Sequence, residues 1–261
     1  LSVKEIDLRE ELSKTVIIRL FNICKNVRII KTPKCIQKTN KKIDLDTLAL
    51  LKPGPLNLPK LKTLDFFAGS DLLVFFGSCQ LKEISIQSWS TEWGLLDIYE
   101  IKRFLETQNS LETMKLEDRW HMFFLSDFMA NASYRLKSLE LNEINLEFLP
   151  PANFPSFIKP HEQSLERLKC ENTVLLHHFA DFKSLSSLEI KFSGDWFDRD
   201  NIFMPQVTKL TIYLTYDGWL GNFAALFPNV KELSIEIESE SIETFQGIEN
   251  CSKLEKLTLN F

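Results

Sequence analysis

Residues 205–214 read PQVTKLTIYL, and residues 228–237 read PNVKELSIEI, the same short phrase set down again 23 residues later. Val207, Leu210 and Ile212 are answered by Val230, Leu233 and Ile235. Apolar residues at offsets 0, 3 and 5 with polar residues between them describe a strand with one face turned inward, because side chains alternate across a strand every two residues. A phrase of this kind returning every 20 to 29 residues or so marks an internal repeat whose units stack on one another.

Carried outward in both directions, the phrase begins at Val3, Val27, Leu61, Leu81, Leu111, Leu136, Leu165, Leu185, Val207, Val230 and Leu254. The second apolar position holds Ile6, Ile30, Leu64, Ile84, Met114, Leu139, Leu168, Leu188, Leu210, Leu233 and Leu257. The third is looser and admits Thr32 and Cys170 among larger residues. Spacings run from 20 to 34 residues and average about 25, the length of a leucine-rich repeat. The fold this predicts is α/β: one leucine-rich repeat solenoid over residues 1–261, a right-handed horseshoe of about 11 repeats. Its parallel sheet lines the concave face and its helices the convex face, since parallel strands need a long crossover and the crossover is right-handed.

The segments between the phrases read as those crossovers. Apolar residues at helical spacing predict helices over Ser13–Ile23, Asp97–Glu106, Val174–Phe182, Trp219–Phe227 and Ser241–Ile248. Asp97 and Glu100 stand at capping-box spacing. Proline or cysteine recurs just before the strands, as Pro59, Pro205 and Pro228 or as Cys24, Cys79 and Cys251. Proline there predicts a helix stop, and cysteine a small buried hydrophobe. Three intervals are long, and two of them stand out in composition. Residues 33–60 carry Lys38, Lys41 and Lys42 before Pro53-Gly54-Pro55, and residues 149–163 read LPPANFPSFIKPHEQ, whose prolines predict a loop rather than a helix. The chain opens at Leu1 inside one repeat and stops at Phe261 inside another, so it is expected to be a fragment of a longer one.

Composition excludes several functions. A net charge of −5 argues against nucleic acid and anionic membranes as partners. The five cysteines never stand as CxxC, which fits a reducing, cytoplasmic or nuclear setting. No GxSxG, Walker loop, GxGxxG or HExxH occurs, and Gly218–Gly221, though a GxxG string, lacks basic company. The chain is therefore expected to be no enzyme and to hold no cofactor or metal. His177-His178 has no further ligand at metal spacing.

A binding surface is the alternative. Residues at offsets 2, 4 and 6 of each phrase face away from the core, and ten of them are acidic against eight basic. A mixed-charge wall of this kind suits a protein partner. Phe67, Arg167, Lys169, Lys191 and Tyr213 are the candidate contacts on it. Trp89 is the candidate on the rim, where Trp93, Trp120, Trp196, Phe197 and Trp219 also leave the sheet. Glu236, Glu238, Glu240 and Glu243 form a short acidic run that reads as a solvated strand end.

The strings FPNVKELSI, NCSKLEKLTL and LPKLKTLDF resemble the intracellular leucine-rich repeats of F-box proteins and ribonuclease-inhibitor-like arrays. The resemblance implies a protein-interaction role. In F-box members the repeat arc captures the substrate of a cullin-based ubiquitin ligase, and a separate N-terminal F-box binds the adaptor. No F-box occurs in this sequence, so an adaptor is implied only if one lies upstream. A free-standing scaffold or inhibitor is the other reading.

Overall fold

The computed structural model describes residues 2–7, 14–31, 58–67, 73–76, 78–88, 95–118, 132–142, 154–171, 173–192, 202–214, 223–237 and 248–260. Its strands are β1 (Glu5–Asp7), β2 (Ile29–Lys31), β3 (Thr63–Phe67), β4 (Glu83–Ser88), β5 (Thr113–Asp118) and β6 (Ser138–Asn142). They continue as β7 (Arg167–Cys170), β8 (Ser187–Phe192), β9 (Lys209–Leu214), β10 (Glu232–Ile237) and β11 (Lys256–Asn260). Together they make one open sheet, ordered as in the chain. Every neighbouring pair is parallel. Such a sheet is consistent with an α/β repeat solenoid.

The register is the one the repeated phrase demands. Leu210 lies between Leu188 and Leu233, and Ile212 between Ile190 and Ile235. A slip by one residue would turn every apolar side chain to solvent, so burial of one face fixes the pairing. That face is buried from Ile6 through Leu233 and Ile235. The sheet ends differently: Leu257 and Leu259 of β11 are 44% and 37% exposed.

Crossover segments supply the other half of the core. Helices α1 (Lys14–Ile23), α2 (Leu73–Phe76) and α3 (Leu95–Glu106) contribute Phe21, Phe76, Ile101, Phe104 and Leu105 to one cluster with the strand residues. Helix α3 starts at Leu95, so Asp97 and Glu100 lie inside it rather than at its cap. Residues 149–163 hold a helix after all, α4 (Phe154–Ile158), running into a 3-10 turn at Lys159–His161. Pro155 falls in the first turn of α4, and Pro160 near the start of the 3-10 turn. A missing N–H costs nothing at those positions, and so the prolines shape the segment instead of excluding a helix.

Val174–Phe182 forms a 3-10 helix over Thr173–Phe179 rather than an α-helix. Of the helix expected at Trp219–Phe227, Phe223–Leu226 forms α5, Phe227 follows it as a buried residue outside the helix, and residues 219–222 lie outside the described residues. Ile248 opens a 3-10 turn to Asn250, and the rest of Ser241–Ile248 lies outside the described residues. So do Lys38–Lys42 and Pro53–Pro55. No helix among the described residues is long and apolar enough to cross a membrane.

The turns that lead into the strands explain the alternation of proline and cysteine. The N–H groups of Val27, Leu61, Leu185, Val207, Val230 and Leu254 each donate to the carbonyl three residues back, at 3.0–3.2 Å. Pro59, Pro205 and Pro228 are the second residues of such turns, where their fixed φ is an advantage. They form these turns, and Pro228 also stands two residues beyond the end of Phe223–Leu226, as a helix stop would. Cys24 and Cys251 are first residues; Cys24 is buried as expected, whereas Cys251 is only half-buried.

Cys79 is out of step: its own N–H donates to Phe76 O at 2.8 Å, and it precedes Leu81 by only two residues. Leu81 N–H turns instead to Gln108 Oε1 at 2.9 Å, while Gln108 Nε2 donates to Cys79 O at 3.0 Å. At β6 the same service comes from His161, whose Nδ1 accepts from Leu136 N–H at 3.3 Å. Gln108 and His161 are the two buried polar residues among those described. Each takes up a buried donor that would otherwise cost about 1–3 kcal/mol.

Candidate functional site

The open face of the sheet carries the residues at offsets 2, 4 and 6, half-buried along most strands. In-register parallel pairing stacks equivalent positions of successive strands about 4.8 Å apart. The middle row reads Lys115, Glu140, Lys169, Glu189 across β5 to β8, with the sign alternating at each step. Opposite charges on neighbouring strands attract, and like charges there would repel.

Lys169 is the hub of this row. Its Nζ lies 2.6 Å from Glu189 Oε1, 3.8 Å from Glu140 Oε1 and 5.6 Å from the Tyr213 ring centroid. Burial acts to lower its pKa, but the hydrogen bond and charge of Glu189 and the charge of Glu140 outweigh that and hold the ammonium above the ordinary lysine value. Burial first, and Glu189 second, push the Tyr213 hydroxyl up. On the far side Asn142 Nδ2 donates to Glu140 Oε1 at 2.8 Å. The cluster therefore fixes a lysine, a tyrosine and two carboxylates in one preorganised arrangement across four strands.

A depression of about 140 Å³ opens beside it, lined by Lys169, Cys170, Glu171, Glu189, Ile190, Lys191 and Tyr213. Small-molecule clefts start at about 300 Å³. The depression has room for one side chain of a partner.

Three of the candidate residues, Lys169, Lys191 and Tyr213, are brought together here, with Lys191 exposed and paired beside Tyr213. Arg167 is exposed at the start of β7, between Ser138 and Ser187, and does not line the depression. Phe67 ends β3 beside Gln87, four strands away. Trp89 and the other rim residues, Trp93, Trp120, Trp196, Phe197 and Trp219, lie outside the described residues, as do Glu238, Glu240 and Glu243.

Glu140 and Glu189 were legible as outward positions but not as the groups that hold Lys169. Only the pairing of β6, β7 and β8 makes them its neighbours. His177 and His178 have their ring centroids 3.7 Å apart, and burial, then the charge of His177, drives His178 down to about 4. Among the described residues no group of three His, Cys, Asp or Glu could hold a metal ion.

No protein-family model matches this chain, and no curated protein matches it.

Proposed function

We propose that the chain is a leucine-rich repeat module that binds a protein partner on the open face of its sheet. The observation that carries this reading is the Lys169–Glu189–Tyr213 cluster with the side-chain-sized depression beside it. Interface energy concentrates where a few preorganised residues flank a pocket, and Tyr is among the residues enriched at such points. The leucine-rich repeat architecture, with its open face concave and its crossover segments convex, is supported by the recurring apolar signature, the in-register strands and the six equivalent turns. The described thiols favour an intracellular setting. The role is binding and not catalysis, and the resemblance to F-box arrays makes substrate capture for a ubiquitin ligase its most specific form.

The test is site-specific cross-linking in cells. A photoreactive residue at position 213 of the full chain should yield a discrete protein adduct, and Lys169→Glu should abolish it. Absence of any adduct, or an adduct insensitive to Lys169→Glu, would sink the reading. Co-purification of a cullin adaptor supports the ligase role, and an adduct without any ligase subunit supports the free-standing scaffold.

A further inference from the structure

A second row runs along the starts of the strands, one residue ahead of the first open-face position. Arg28 N–H donates to Lys4 O at 2.7 Å, Lys62 N–H to Arg28 O at 2.8 Å, and Lys82 N–H to Lys62 O at 2.8 Å. Glu112 and Lys137 continue the row with bonds of 2.9 and 2.8 Å. The first four members are all cationic and all exposed, in a chain whose net charge is −5.

The fifth member shows what this row does with a carboxylate. Lys82 Nζ binds Glu112 Oε1, and Lys137 Nζ lies 3.3 Å from Glu112 Oε2. The hydrogen bond from Lys82, followed by that from Lys137, holds the Glu112 carboxyl below its ordinary value. Upstream of Lys82 the row supplies no acid. Among the described residues Lys4, Arg28 and Lys62 form no ion pair, and two carboxylates that open neighbouring strands are engaged elsewhere, Glu5 with Lys31 at 2.7 Å and Glu83 with Lys115 at 3.2 Å.

We propose that this row is a docking edge for an acidic, extended segment of a partner protein. Its carboxylates seat between cations of neighbouring strands, as Glu112 seats between Lys82 and Lys137. The four cations span three strand steps, roughly 14 Å, the reach of about four residues of extended chain. A nucleic acid asks for a longer basic track than this, because its charge is continuous and the row turns acidic at Glu112. The edge lies over β1 to β4, apart from the Lys169 cluster on β6 to β9, and the two surfaces stand or fall separately.

The probe is a short fluorescent peptide alternating Glu and Ser, with its Gln–Ser counterpart and a short oligothymidylate as comparisons. Fluorescence anisotropy at low salt should show binding of the acidic peptide alone, weakening as salt rises. The triple variant Lys4→Glu/Arg28→Glu/Lys62→Glu should lose at least about tenfold in affinity. Lys231→Glu/Lys253→Glu/Lys256→Glu, with the same change in charge at the other end of the sheet, should leave affinity unaltered, and so should Lys169→Glu. Equal losses in both triple variants would reduce the effect to net charge and overturn the proposal. So would equal binding of the Gln–Ser peptide, tighter binding of the oligothymidylate, or no binding of the acidic peptide. If the first triple variant melts early, Arg28→Glu alone makes the same comparison against Lys256→Glu.

Discussion

His161 stacks on Tyr134 with ring centroids 5.6 Å apart and planes 13° apart, in a part of the core where its ring Nδ1 accepts from Leu136 N–H. Burial, and secondarily the charge of Arg135, lower its pKa from 6.5 to about 4. Between those values the unfolded chain binds a proton that the folded chain refuses. Stability is therefore complete above the unfolded value and is lost as pH falls from 6.5 towards 4, by up to about 3 kcal/mol. Urea titrations at neutral and mildly acidic pH measure this slope. His161→Gln should shrink it while keeping the fold, because Gln108 already performs the same bond to Leu81 with an amide oxygen. Some slope should persist, since His178 is shifted in the same direction. The sequence presents His161 as an isolated histidine, because its partner Leu136 is 25 residues away and nothing local points to it.

The strands were almost wholly legible, and the reason is that their pattern is set by burial on one face. Leu210 is fully buried between Leu188 and Leu233, so Leu210→Ala should cost about 2–5 kcal/mol. Leu257 occupies the equivalent place on β11 but is 44% exposed, and Leu257→Ala should cost less than half as much. Denaturant midpoints of the two variants decide it: equal losses would mean that β11 is covered. The crossovers were less legible. Proline density at 149–163 pointed to a loop, yet Pro155 and Pro160 fall in first turns, where proline is tolerated. Thr173–Phe179 has the spacing of an amphipathic helix but winds as a 3-10 helix. Spacing alone does not distinguish the two over so short a segment.

Across the whole sheet each strand meets only the strands before and after it in the chain. Stability in such an array is close to a sum of neighbour terms, so the ends open more readily than the middle. Native-state hydrogen exchange should show the amides of β8 to β10 exchanging far more slowly than those of β11, whose outer edge has no strand neighbour among the described residues. Uniform protection through Asn260 would contradict this. The sequence by itself determined the eleven strands, their register and which residues face outward, because a two-residue alternation repeated at each phrase admits one pairing. It also brought Lys169, Lys191 and Tyr213 forward as outward residues. Only the tertiary structure decided that Glu140 and Glu189 grip Lys169, that Gln108 and His161 rescue buried N–H groups, and that Lys4, Arg28 and Lys62 stand shoulder to shoulder. Those contacts join residues 20 to 34 positions apart, and repeats of uneven length align only once the strands have paired.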